Sequence, residues 1–391
     1  MKDLKEYLME TQQDRQILGK SGVYQGERKM NKAENNLLTP NQISMMIIFS
    51  TVAVGILSIP NEVVLISKQD GWISVLLGGI YPVFVVISAV YIAHNYPNDN
   101  ILALNIKFFG KIFGSLFNIF LLFYFTFQAV SEVSGISNFL RVYIIDFLSG
   151  FRVMFLLTAL AAFCSYKGLK AIGRISEIVF CIMMLVAVVG ILALIKGSFL
   201  NVMPVFGSGY MNVLKGMKDT TFAYSGSEVV LLLYPYINDK NKLKAACVKS
   251  VALICAGYTW VTFATIYYLG HRIIPKAMWS SLFIIESLRL PIINNFRFIV
   301  MFIWTFVSIT AVAIDFYSCE LVVKDMFKKL KRNILYFLLV PIILYISVQL
   351  GEEVKRREIV YGLVYIISIF IISYIFLIDV LVYFKKGKAH E

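Results

Sequence analysis

The stretches AVGILSIP at residues 53–60 and TFAYSGSE at residues 221–228 decide how this chain folds. Each interrupts a long apolar run near its middle, and each opens one half of the sequence. Inside a bilayer, unpaired backbone amides and carbonyls are costly, so a helix stays wound unless something takes the freed groups. In the first stretch Gly55 is followed by Ile56 and Leu57 and then by Pro60, which removes a backbone donor and disfavours helical geometry at Ile59. In the second, Ala223, Tyr224, Ser225 and Gly226 break a run that otherwise suits a spanning helix. A single glycine is most simply a place where helices pack closely. Two breaks at corresponding places instead point to a transporter-type binding site.

The rest of the sequence frames these breaks as membrane helices. The chain has 391 residues, 59% hydrophobic and 16% charged, against about 25% charged for an ordinary soluble domain. A helix needs about 20 apolar residues to cross the hydrocarbon layer. The segments that qualify lie near 42–67, 71–93, 112–140, 152–166, 174–196, 214–237, 243–270, 296–322, 333–350 and 358–384, and none shows the alternation of a barrel strand. With the N-terminus inside, 24 of the 37 Lys and Arg residues fall on the inner side and 13 on the outer. The positive-inside rule thus predicts ten spans with both ends cytoplasmic. The net charge of +13 is then mainly a topology signal with an affinity for anionic head groups. No basic stripe with interleaved aromatics sits on a soluble module, so nucleic acid is not an expected partner.

Residues 1–38 are polar and carry seven basic residues; they are expected to be a loose cytoplasmic tail, with no removable signal peptide and with Met30 as a second candidate start. A membrane domain is expected over 39–385 and a short tail over 386–391. The five cysteines lie in or beside spans without metal-ligand spacing and are read as buried free thiols. No HExxH, GxSxG or phosphate-loop pattern occurs, so neither an enzyme nor a cofactor is implied. The connection HRIIPKAMWSSLFIIESLRLPIINN at 271–295 is broken by Pro275 and Pro291. It is either a lid over the outer face or an interfacial segment anchored by Trp279 and Arg289.

Ten spans divide five and five, into repeats over about 42–197 and 214–384. An odd number of spans per half forces the halves into opposite orientation, so an inverted repeat follows from parity. A half-helix N-terminus offers free N–H groups and partial positive charge to a carboxylate, and a half-helix C-terminus offers carbonyls to a cation. Together the two breaks describe a pocket for a zwitterion such as an amino acid.

At this point the residues resemble a known family. TFAYSGSE is similar to the FAYxGxE-type sixth-helix motif of the amino acid, polyamine and organocation transporters. AVGILSIP resembles their first-helix break, with Ala53 in place of the leading glycine. The run LTPNQISMMIIFSTVAVGILSIP at 38–60 resembles one branch more closely, the spore germination permeases, which are the B subunits of spore germinant receptors. The resemblance covers about residues 38–385. It implies an all-α polytopic membrane protein with a LeuT-like 5+5 inverted repeat, unwound in helices 1 and 6. It also implies a germinant sensor in the spore inner membrane, partnered by a larger A subunit and a C-subunit lipoprotein. Carried over, Gly55, Ile56 and Leu57 would meet the germinant carboxylate, Phe222 would cover the pocket, Ala223, Tyr224, Ser225 and Gly226 would form the unwound turn, and Glu228 would match the sixth-helix glutamate. The alternative is a proton- or sodium-coupled amino acid transporter. No lysine lies in the middle of the fifth span, where proton-coupled relatives can carry one, which favours a receptor.

Polar residues inside the other spans extend the candidate site. Glu228, near mid-span, needs a partner or a proton, and either holds the unwound backbone or senses pH. Tyr124, Gln128 and either Ser131 or Glu132 share one face of the third span and form a plausible pocket wall. In the eighth span Ser308 and Thr310 either bond back to the preceding turn or form an ion site, as in relatives of this fold. Asp315, with Glu320 and Lys324 further along, is read as a proton-sensing or gating acid.

Overall fold

The first helix begins where the sequence caps it. Thr39 Oγ accepts from the Gln42 amide at 3.2 Å, the Gln42 side-chain oxygen accepts from the Thr39 amide at 3.2 Å, and Pro40 occupies the first turn. The Thr-Pro-x-Gln opening is therefore a reciprocal capping box, which satisfies two helix-end donors at once. The computed structural model describes residues 37–286 and 296–387. Most of the expected N-terminal tail, part of the 271–295 connection including Arg289 and Pro291, and the last C-terminal residues lie outside them. Leu38, expected at the end of a loose tail, is instead fully buried and bridges to Ile237.

Helix α1 (Pro40–Thr51) ends at Val52, and α2 (Gly55–Ser67) resumes three residues later. The chain then turns back at Lys68, which has φ +48°. A Cβ on Gly71 would lie 2.9 Å from Val63 Cγ2, whereas residues eight apart on one straight helix are about 12 Å apart along its axis. The return arm is α3 (Gly71–Gly78) continued by α4 (Ile80–Asn95). Next comes α5 (Ile101–Tyr143), which is two helices in one, since Gly110 has φ +75° and residues 101–109 fold back onto the long arm 111–143. The helices α6 (Gly150–Tyr166) and α7 (Leu169–Lys196) follow, with a 120° bend between Gly150–Tyr166 and Leu169–Met184.

The second half opens with three short helices, α8 (Tyr210–Lys218), α9 (Thr221–Tyr224) and α10 (Val229–Leu233). It continues through α11 (Leu243–Leu269), α12 (Ser281–Glu286), α13 (Phe296–Met326), α14 (Arg332–Gln349) and α15 (Glu353–Gly387). No strand occurs among the described residues, which are all-α.

Six helical stretches among the described residues are long and apolar enough to cross a membrane: Gly55–Asn95, Ile101–Tyr143, Lys240–Leu269, Phe296–Met326, Arg332–Gln349 and Glu353–Lys385. The bent pair α6 and α7 makes a seventh if it is one span. The expected segments at 42–67 and 214–237 are not among the six as units, because each is cut into short helices. Apolar side chains such as Ile112, Phe337, Ile366 and Phe376 are exposed on the outside of the bundle, as helices facing lipid require. By contrast α1 is buried on every side from Gln42 to Thr51, and it packs against α7, α11 and α13. A helix buried on every side belongs at the centre, and its polar side chains Ser44, Ser50 and Thr51 are each hydrogen-bonded there.

Candidate functional site

The second break is a built turn. After α9 the chain leaves helical geometry at Ser225, and Gly226 has φ +113°, a left-handed conformation open to glycine. A Cβ on Gly226 would overlap the Ser50 carbonyl of α1. The Gly226 amide donates to the Glu228 carboxylate at 2.7 Å, and the Gly226 carbonyl accepts from Ser50 Oγ at 2.9 Å. Glu228, fully enclosed, also accepts from the hydroxyls of Tyr124 at 2.8 Å and of Tyr81. Gln128 Nε2 donates to Ser225 Oγ at 3.0 Å. Phe222 packs edge-on against Tyr361 of α15, with centroids 5.3 Å apart. The Tyr224 hydroxyl donates to the Val75 carbonyl of α3 at 2.8 Å.

The first break sits three residues earlier than the expected Gly55 to Leu57. Pro60 lies inside α2, and the unwound residues are Val52 to Val54. Gly55, Ile56 and Leu57 thus form the first turn of a half-helix, where backbone N–H groups lack i−4 partners, though the Leu57 amide already donates to the Val54 carbonyl at 3.1 Å. The Val54 amide donates to both Glu132 oxygens, at 3.3 and 3.1 Å. Gly55 packs directly on the second break, because a Cβ there would lie 2.9 Å from Ala223 Cα. Tyr258 of α11 ties the two together by donating to the Thr51 carbonyl at 2.8 Å and the Ala223 carbonyl at 2.7 Å. One hydroxyl proton is shared between two carbonyls, so both retain acceptor capacity.

The expected site residues therefore fall into two groups. Gly55, Ala223, Tyr224, Ser225, Gly226, Tyr124, Gln128 and Glu228 converge on the paired breaks. Ile56 and Leu57 also line an apolar cavity of about 170 Å³, together with Val52, Trp260, Ile284 and Trp304. Of the alternatives on the face of α5, Glu132 reaches the first break, while Ser131 Oγ is buried with no partner among the described residues. Thr310 bonds back to Phe306 at 2.8 Å, whereas Ser308 Oγ has no such partner. Asp315 is buried within electrostatic reach of Glu132 and Glu228. It does not pair with Glu320, whose carboxylate is held by Lys324, by Arg332 at 2.7 Å and by Tyr336 at 2.7 Å.

Two closures flank the breaks. On one side Glu353 joins Arg356, Arg357 and Asn138, and Arg357 reaches Glu62 of α2 at 3.3 Å. Asn61 of α2 binds the carbonyls of Ile274 and Ala277 at 2.9 and 2.6 Å and accepts from Ser280. Trp279 is fully buried against Phe139 and Tyr143. It is therefore no head-group anchor, because its ring is consumed in packing. On the other side Glu177 of α7 accepts from Asn41 at 2.8 Å and Gln42 at 3.2 Å. All five cysteines are free, but Cys247 and Cys319 alone are buried, while Cys164 and Cys255 are half-buried and Cys181 is exposed.

Tyr81, Tyr258, Asn61 and Arg356 carry much of this network without a motif to announce them. The usable signal was physical: a Tyr or Asn in mid-span must find a partner when buried.

An all-helical membrane protein with two abutting interrupted helices at its centre is the class that fold and site define. A family profile described as "Spore germination protein" matches residues 37–356, and the chain belongs to that family. It is similar to spore germination protein YndE of Bacillus subtilis (strain 168), 26% identical over 314 residues that cover 79% of this chain and 86% of that one. It is also similar to spore germination protein GerQB of Bacillus cereus, 23% identical over 288 residues, 74% and 80% of the two chains. Spore germination protein KB of Bacillus subtilis (strain 168) is 24% identical over 216 residues, 54% and 57% of the two chains.

Proposed function

We propose that this protein is the B subunit of a spore germinant receptor. In this reading it has ten transmembrane helices in a LeuT-like 5+5 inverted repeat, with both termini cytoplasmic in the spore inner membrane. It binds a small nutrient, an amino acid, where the first and sixth helices break, and the change of state passes to an A subunit and a C-subunit lipoprotein to trigger germination.

The observation that carries this reading is the contact of Gly55 on Ala223, which brings both interrupted helices together in the buried centre. The half-helix that begins at Gly55 suits a carboxylate, with the amides of Gly55 and Ile56 facing it, while the Leu57 amide is held by the Val54 carbonyl. The Thr51 and Ala223 carbonyls, which share one Tyr258 proton, suit an ammonium group. The apolar cavity beside Ile56 and Leu57 suits a small aliphatic side chain. Glu228 has a scaffold role, holding the turn at Gly226.

The test is thermal unfolding of the purified protein with each of the twenty standard amino acids. A bound solute raises apparent stability by mass action, so a small aliphatic amino acid should raise the midpoint, and Ile56→Trp, which fills the cavity, should abolish the shift. A shift from none of the twenty overturns the reading. Concentrative uptake of labelled amino acid by proteoliposomes containing this chain alone would establish the transporter instead.

A further inference from the structure

The anion position at the first break is already taken, and the group that takes it belongs to the protein. A 13-residue half-helix presents its N-terminal amides and partial positive charge to an anion. At Val54 that anion is the carboxylate of Glu132, at 3.1 and 3.3 Å. Glu132 is itself buried, so it cannot leave for water.

A second acceptor-seeking group waits one turn away. Arg356 is 1% exposed, and Glu353 occupies its Nε at 2.8 Å and its Nη2 at 2.6 Å. The remaining nitrogen, Nη1, is buried with no hydrogen-bond partner among the described residues. It points at Gly135: a Cβ there would lie 3.1 Å from Nη1 and 3.0 Å from Val54 Cγ1. Gly135 and Glu132 are three residues apart on α5, hence on one face about 5–6 Å apart. A buried guanidinium nitrogen without an acceptor is costly, as is a buried carboxylate without a donor.

We propose that the Val54 amide is a carboxylate site which Glu132 fills in the unliganded protein, and that a ligand's carboxylate takes it over while Glu132 turns to the free Nη1 of Arg356. The exchange keeps one carboxylate at the helix end before and after binding. It gives the displaced acid a partner, so no charge is stranded in the membrane interior. It rests on the first break being the ligand site, and it narrows the ligand to a carboxylate-bearing solute. An α-carboxamide of the same amino acid carries no charge to drive Glu132 out.

The test is a double-mutant cycle on the full chain in nanodiscs, read by calorimetric titration with whichever of the twenty standard amino acids gives the largest thermal shift. Arg356→Lys keeps a positive charge beside Glu353 but offers nothing to Glu132. It should weaken binding at least about tenfold when residue 132 is Glu, and less than about threefold in the Glu132→Gln background, where no charge has to be rehoused. General damage by Arg356→Lys would weaken binding equally in both backgrounds. In the unsubstituted protein the α-carboxamide should bind at least about tenfold more weakly than the acid. Equal losses in the two backgrounds, or equal affinities for acid and carboxamide, overturn the exchange. If those results come with binding that Ile56→Trp still abolishes, the pocket stands and only the exchange falls. If no amino acid binds, both fall.

Discussion

The two breaks differ in how they are held. The turn at Ser225 to Glu228 is fastened from four helices: Ser50 of α1, Tyr81 of α4, and Tyr124 and Gln128 of α5 reach into it, while Tyr258 of α11 grips the Ala223 carbonyl just before it. The gap at Val52 to Val54 rests on one side-chain carboxylate at its amide end and on the shared Tyr258 proton at its carbonyl end. Two interruptions that read alike in the sequence thus have different mechanical roles. The second is a fixed frame, and the first is the more lightly held of the two, the part that the proposed ligand exchange would rearrange.

The sharpest way to break this contrast is Glu228→Ala. It strands the Tyr81 and Tyr124 hydroxyl protons and leaves the Gly226 amide with the Tyr124 oxygen alone, at about 1–3 kcal/mol for each unsatisfied buried donor. Thermal unfolding should show a loss of about 3–5 kcal/mol, and a loss under about 1 kcal/mol would mean the frame does not depend on Glu228. Next is Gly226→Ala, expected to cost about 2–3 kcal/mol, because the left-handed backbone is strained for alanine and the new Cβ meets the Ser50 carbonyl. Glu132→Ala should cost less, about 1–2 kcal/mol, since it frees a single backbone donor. A cost equal to that of Glu228→Ala would erase the distinction between frame and moving part. The smallest effect belongs to Asn41→Ala at the exposed contact with Glu177 and Lys249, expected within about 0.5 kcal/mol in the same assay.

Residue chemistry explains what could be read ahead of the structure. Pattern located the breaks because glycine and small polar residues stand out in an apolar run, and Gly226 is there for the backbone reason that the run suggested. Position along the first break was misjudged, since Pro60 marks the proline's own limitation and not the place where α2 starts. The Thr-Pro-x-Gln opening was readable as a resemblance and became a capping box only with Thr39 and Gln42 placed. Of the two readings open for 271–295, the one that anchors Trp279 at the head groups fails because the ring packs against Phe139 and Tyr143. The pairing of Glu132 with Val54, and the approach of Arg356 to Gly135, join residues 78 positions apart and more than 200 apart. No local spacing rule reaches across such separations.

The arm 111–143 of α5 meets both interruptions along its length, through Tyr124 and Gln128 at one and Glu132 at the other. Its ends are tied elsewhere: Asn118 binds Asp325 at 3.2 Å, and Asn138 binds Glu353 at 3.1 Å. At 1.5 Å per residue such an arm is about 50 Å long. Turned by about 5° around its middle, it carries each end roughly 2 Å. Under the proposed function, a solute that shifted the balance of contacts at the centre would move both faces of the molecule in opposite directions, through a single stiff lever. A neighbouring subunit resting on either face would feel the event without touching the solute.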